Sequence, residues 1–247
     1  MSYATKYQPK TIQAIAGQTR AVRFIDAVVA SAVETGEPVA LVLTGGSGVG
    51  KTSAAKAIAA AVGCDIENAE LGGLVEIASG EQDGKAVKEL AGLLRLRPFT
   101  GSGWRVAIVN EADCMTKQAE VVWLDALESL PSKVVIVFTT NSVENLSGRF
   151  LSRCHVVKFE SRGVEAEKAV EALVRKVLKA EKVKAPADLS TFGRESIGIV
   201  NYRLAMQQAF RFAATGELPD APTAEPTDLS AAQKAWATRK ARESAAV

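Results

Sequence analysis

The feature that most constrains this chain is Leu41-Val-Leu-Thr-Gly-Gly-Ser-Gly-Val-Gly-Lys-Thr-Ser53, in which a short apolar run leads into Gly45-x4-Gly50-Lys51-Thr52 and then an alanine-rich segment. A buried strand must here turn sharply into a helix. Glycines at 45, 46, 48 and 50 allow backbone conformations closed to other residues, so that consecutive N–H groups turn inward around a phosphate. The helix beginning near Lys51 adds its free N–H groups and the positive end of its dipole. Lys51 can reach β- and γ-phosphates, and the Thr52 hydroxyl is placed to coordinate Mg²⁺. A strand before and a helix after are the context that separates this pattern from a chance glycine-rich turn. The expected nucleotide-binding set is Gly45, Gly46, Ser47, Gly48, Val49, Gly50, Lys51, Thr52 and Ser53.

The rest of the chain reads as alternating helices and strands. Apolar spacing predicts a helix over 19–34, a strand over 39–43 and the P-loop helix over 53–62. A weak strand is expected at 65–68, then loop over 72–84 broken by a short apolar piece, then an amphipathic helix over 85–96. A buried strand over 104–109 ends in Asn110-Glu111-Ala112-Asp113. A helix over 117–130, a strand over 133–140 ending at Asn141, and a short strand over 155–159 follow. This is an α/β domain with a mainly parallel sheet flanked by helices, whose ligands sit at the carboxyl ends of the strands. The loop, Glu111 and Asn141 all lie at such ends. Beyond Ser161 the pattern is helix only, with helices over 166–178, near 187–195 and near 200–214 forming a small lid. The expected divisions are a core over 1–160, a helical lid over 161–216, a proline-containing linker over 217–228 and a basic C-terminal helix over 229–247.

Composition narrows the chemistry. With 30 Lys and Arg against 28 Asp and Glu, the net charge of +2 requires any DNA site to be a local patch. Cys64, Cys114 and Cys154 are far apart and lack a CxxC pair, which suggests neither a disulfide framework nor a zinc site and suits a reducing cytoplasm. His155 is the only histidine, so histidine-based triads are excluded and Mg²⁺ held by oxygen ligands remains. No apolar run approaches the ~20 residues of a membrane span.

Several motifs occur in one order: Lys6-Tyr-Gln-Pro-Lys10 with Gly17-Gln18, the P-loop, Asn110-Glu-Ala-Asp113, strand-end Asn141, Ser152-Arg-Cys154 and Asn201-Tyr-Arg-Leu-Ala-Met206. Over residues 6–210 the chain resembles AAA+ ATPases of the clamp-loader branch, whose members include replication factor C small subunits. The resemblance implies an ATP-hydrolysing subunit using Mg²⁺, with Thr52 and Asn110 at the metal and Glu111 orienting the attacking water. It implies that Asn141 senses the γ-phosphate and that Arg203 reaches the phosphates from the lid. Tyr7, Pro9, Ile15 and Ala16 would form the adenine pocket or else pack the N-terminal arm. Arg153 would act as an arginine finger in a neighbour's site, with Arg149 competing for that role, so a lone subunit is expected to be a weak ATPase. Expected partners are further subunits in a homo- or hetero-oligomer, primed or double-stranded DNA bound without sequence preference through Lys85, Lys88, Arg95 and Arg97, and a sliding clamp.

Three departures accompany the resemblance. Asn110 stands where the usual Walker B motif has aspartate, bringing no charge to the cation, so weaker Mg²⁺ binding is expected and Asn110→Asp is expected to raise the rate. Leu124 and Asp125 occupy a helix in which relatives often carry basic residues. About thirty residues follow the lid where the family adds a helical collar. A nucleotide-binding switch with little turnover, or another AAA+ DNA remodeller, is the alternative expectation.

Overall fold

The computed structural model describes residues 3–78, 83–196 and 198–220. Its elements in chain order are α1 (Tyr3–Lys6), α2 (Thr19–Thr35), β1 (Val39–Thr44), α3 (Lys51–Ala61), α4 (Ala69–Gly72), β2 (Leu74–Ile77), α5 (Gly84–Leu94) and β3 (Arg105–Val109). They continue with α6 (Lys117–Glu128), β4 (Val134–Thr140), α7 (Gly148–Leu151), β5 (His155–Lys158), α8 (Val164–Ala180), β6 (Arg194–Ser196), β7 (Ile199–Val200) and α9 (Tyr202–Thr215). The expected linker at 217–228 lies mostly, and the expected C-terminal helix at 229–247 wholly, outside the described residues.

Strands β1 to β5 form one parallel sheet in the order β2-β3-β4-β1-β5. Parallel strands need helical crossovers, which cover both faces, and the central strands accordingly carry apolar runs at Val39–Leu43, Val106–Val109 and Val134–Phe138. Every residue of β4 is buried, as is every residue of β3. On one face α2 and α3 pack over Leu41, Leu43, Val106, Ile108, Val135 and Val137. On the other, α5 and α6 cover Val42, Ala107, Val109, Ile136 and Phe138. There Trp123, Phe138 and Phe150 meet edge to face, with centroids 5.0 and 4.9 Å apart. Such pairs add roughly 0.5–1.5 kcal/mol each beyond area burial.

Capping fixes several helix starts. Asp83, Thr116 and Asn201 each accept a backbone N–H from the first turn of α5, α6 and α9. A third core joins α8 and α9 through Val170, Val174, Leu178, Ala205 and Ala209, with Phe192 between them. The N-terminal arm belongs to this cluster: Tyr3 is buried in it, and Lys6 and Tyr7 both bond the Glu181 carboxylate, at 2.6 and 2.5 Å.

The structure corrects the sequence reading at two places. No strand forms at 65–68, because the Asp65 carboxylate accepts from Asn68 N at 3.2 Å and from Asn68 Nδ2 at 3.0 Å, closing a turn instead. The second strand is β2, within the stretch expected to be loop, and it pairs with β3 from Leu74 opposite Val106 to Ile77 opposite Val109. Nor is there a helix over 187–195. Asp188 accepts from Ser190 N at 2.8 Å, Gly193 takes φ 67°, and the chain enters the antiparallel pair β6–β7. The region beyond Ser161 is therefore two helices joined through a small ribbon.

Candidate functional site

The loop between β1 and α3 has the geometry its glycines require. Gly48 and Gly50 take φ 70° and 100°, and a Cβ on Gly45 would lie 2.4 Å from the Phe159 carbonyl oxygen. Within this loop Lys51 is buried, its Nζ donating to the carbonyls of Gly45 and Gly46, each at 2.7 Å, and to Asn141 Oδ1 at 3.0 Å. Burial pulls the Lys51 ammonium down to about 8, helped by the charge of Arg203 and opposed by those of Asp113 and Glu111. A cation held this far out of water is a strong attractor for an anion.

The ends of β3 and β4 supply the next layer. The Thr52 hydroxyl donates to Asn110 Oδ1 at 3.3 Å, and the Thr139 hydroxyl donates to the same oxygen at 3.2 Å. Glu111 follows in the left-handed region at φ 53°, with its backbone N–H donating to Thr139 Oγ1 at 3.3 Å. This conformation is uncommon for a residue with a side chain, and such residues cluster at functional sites. Asp113 keeps a buried Oδ1 without a hydrogen-bond partner.

Apart from Asp113, these groups open onto one cavity of about 350 Å³. Ser47 to Ser53 line it, with Asn110, Glu111 and Asn141 from the strand ends and Arg203 from α9. Tyr7, Pro9, Ile15 and Ala16 line its other side, so the residues expected around an adenine are brought to the same cavity as those expected around phosphates. Gly45 and Gly46 contribute through the carbonyls that hold Lys51. Helix α9 meets the loop directly: Tyr202 N and Arg203 N both donate to the Gly48 carbonyl, at 3.0 and 3.3 Å. It thereby satisfies two of its orphan N–H groups on the glycine loop itself.

Sequence reasoning missed Gln8, Ala14, Thr139, Leu173, Tyr202 and Met206 among the lining residues. A signal existed for two of them, since Tyr202 and Met206 fall four apart beside Arg203 and so share a helix face. Burial pushes the Tyr202 phenol up to about 12.

Other candidates lie elsewhere. Arg153 precedes β5, whose His155 sits opposite Leu41, so it flanks the end of the sheet away from the loop. Its guanidinium pairs with the Glu128 carboxylate and donates to the Arg149 carbonyl at 2.8 Å. Arg149 is exposed on α7. Lys85, Lys88 and Arg95 are exposed along α5 and its C-cap, opposite the buried Val87, Leu90 and Leu94, and Arg97 is exposed just beyond. Lys85 is 3.9 Å from Glu89, an exposed pairing of little energetic weight. No helix among the described residues is long and apolar enough to cross a membrane.

A family model described as DNA polymerase III, delta subunit, matches residues 74–163. The replication factor C small subunit of Picrophilus torridus is 25% identical over 221 residues, which cover 87% of this chain and 65% of that protein. The replication factor C large subunit of Methanothrix thermoacetophila is 30% identical over 190 residues, covering 74% of this chain and 38% of that protein. The chain thus spans about two thirds or less of these relatives. Among solved structures, the Thermotoga maritima RuvB Holliday junction branch migration motor superposes with a TM-score of 0.64 at 18% identity, over 88% of this chain and 69% of that one. That likeness is one of fold.

Proposed function

We propose, for a chain that belongs to the clamp-loader family of AAA+ proteins, that it binds and hydrolyses ATP as a clamp-loader-like subunit in DNA replication. The observation that carries this reading is Lys51: a buried ammonium, held by two loop carbonyls and Asn141, at a cavity lined by phosphate-loop, strand-end and lid residues. The inward glycine loop and Lys51 would hold the phosphates, and the apolar side of the cavity the base. Glu111 would orient the attacking water and accept its proton, while Asn141 and Arg203 would hold the γ-phosphate. Thr52 and Asn110 offer oxygen atoms suited to Mg²⁺, which when bound neutralises charge on the phosphate oxygens. The docking of α9 on Gly48 gives nucleotide a route to the lid angle, because phosphate and lid contact the same loop. The core, lid, linker and tail divisions, assembly into an oligomer and action inside the cell belong to this proposal.

The decisive assay is phosphate release with and without primed DNA and a sliding clamp. The expected result is Mg²⁺-dependent turnover stimulated by DNA, with the basic stripe of Lys85, Lys88 and Arg95, joined by Arg97, meeting phosphates. Nucleotide binding without turnover would favour a switch subunit instead, a reading that the uncharged Asn110 supports. No nucleotide binding would sink both.

The same reading assigns clamp binding to one exposed apolar patch. Phe99 is 87% exposed and Leu96 59%, and Phe99 N bonds the carbonyl of exposed Leu71 at 2.9 Å. Contiguous exposed apolar groups of this kind mark protein-binding sites. Phe99→Ser should weaken binding of immobilised clamp by about 30-fold, the loss of one aromatic anchor. Unchanged affinity would remove this patch from the interface.

A further inference from the structure

Asn110 has a partner on its far side that the sequence does not reveal. While its Oδ1 accepts from Thr52 and Thr139, its Nδ2 donates to Glu76 Oε1 at 3.1 Å. Glu76 Oε2 is in turn 3.3 Å from Lys56 Nζ. Thr52 and Lys56 are four residues apart on α3, and β2 and β3 are neighbours in the sheet, with Asn110 N donating to the Ile77 carbonyl at 3.1 Å. Four side chains thus form a belt, Thr52–Asn110–Glu76–Lys56, across the strand ends beside the phosphate loop.

We propose that Glu76 is a positioning residue for the metal side of this site, and that it holds the negative charge that Asn110 lacks. An amide can be turned either way by its surroundings, and only the orientation with oxygen toward Thr52 suits a cation there. The Glu76 carboxylate can only accept, so it takes the amide nitrogen and leaves Oδ1 facing Thr52. The charge that an aspartate would carry at position 110 sits one hydrogen bond further out, balanced by Lys56. Partners of this kind orient metal-site groups and tune their electrostatics.

The pair also changes what Asn110→Asp does. Alone, that substitution puts a second carboxylate where the amide now lies 3.1 Å from Glu76 and removes the donor between them. Two carboxylates at that distance repel, and one is driven to hold a proton. Asn110→Asp alone therefore fails to improve the metal site, and only the double variant Asn110→Asp/Glu76→Gln moves the charge inward.

The inference concerns a site that takes nucleotide and Mg²⁺, and so rests on the proposed function. Its test is a double-mutant cycle with two readouts: thermal unfolding of the nucleotide-free protein, and binding of a fluorescent ATP analogue in EDTA and in Mg²⁺. Glu76→Gln should bind the analogue in EDTA as the native chain does and lose about tenfold of the gain that Mg²⁺ adds. Asn110→Asp should lower the unfolding midpoint by several degrees, and Glu76→Gln should restore it, together with a Mg²⁺ gain at least equal to the native one. Additive effects in both readouts, or an unchanged Mg²⁺ gain in Glu76→Gln, would overturn the pairing and leave the proposed function standing. A native chain that binds no analogue in either condition would overturn the proposed function and the metal role together, whereas the unfolding cycle would still report the pair.

Discussion

Lys51→Met should lower affinity for a fluorescent ATP analogue by about 10- to 150-fold, the range expected for losing hydrogen bonds to a charged group. Turnover should fall below detection, because the same ammonium that binds phosphate in the ground state also faces the charge of the transferring group. Methionine keeps the volume, so the variant isolates charge and hydrogen bonding from packing. An affinity within twofold of native would mean that the buried ammonium is a structural brace for the Gly45 and Gly46 carbonyls rather than a ligand for anions.

The Lys51 pKa, lowered by burial to about 8, adds a pH signature with two opposite signs. Below pH 8 the ammonium is charged and attracts phosphate at full strength. As pH rises through 8 the empty site loses that proton, whereas a bound polyanion favours keeping it, so affinity should fall by up to about tenfold per unit and binding should take up a proton. Nucleotide-free stability moves the other way. The unfolded chain holds this proton up to about pH 10.4, so between 8 and that value it binds more protons than the folded chain, and the Lys51 contribution to stability rises with pH. The native-minus-Lys51→Met difference cancels every other lysine and tyrosine titrating in that window. Calorimetry in buffers of different ionisation enthalpy measures the first effect and denaturant titration the second. A native-minus-variant difference that stays flat above pH 8 in both would mean that Lys51 keeps its ordinary pKa.

What could be read in the sequence was local, and what could not was relational. The strand, glycine loop and helix over residues 39–61 are legible because each residue type has a job within its own short stretch. Strands β3 and β4 are legible because burial on both faces gives them continuous apolar runs, Val106–Val109 and Val134–Phe138. Strand β2 is four residues long, begins just after Gly72-Gly73 and carries Glu76 on an exposed position, so nothing local separates it from loop. Only its pairing with β3 makes it a strand. The ribbon β6–β7 is hidden for the same reason, since it exists through cross-strand bonds of a few residues each. In the site, Lys51 could be named from the glycine loop and Glu111 and Asn141 from strand ends, yet the contact of Gly48 with α9 links residues more than 150 positions apart. The Glu76–Asn110 bond spans 34 residues and depends on which strands are neighbours.

Arg153→Ala should leave nucleotide affinity unchanged and lower the turnover of the assembled protein by about 10³-fold, the effect of removing an arginine that stabilises transition-state charge. The geometry bars Arg153 from its own site. It lies in the turn before His155, which is opposite Leu41, so about 10 Å of strand separates even the His155 level from the end of β1. A neighbouring subunit's phosphates are a different matter. The Glu128 pairing that now occupies the guanidinium is exposed, and such pairs contribute only about 0–1 kcal/mol, so an anion across an interface can displace it at little cost. Mixing decides between a finger in trans and a brace within the subunit. Neither Arg153→Ala nor Lys51→Met should turn over alone, but a mixture can place an intact Lys51 site against an intact Arg153 and should regain part of the native rate. Unmixed inactivity that persists on mixing, in an assembly shown by light scattering to contain both variants, would assign Arg153 to its bond with Glu128 and pass the finger role to Arg149, exposed on α7 one helical turn earlier.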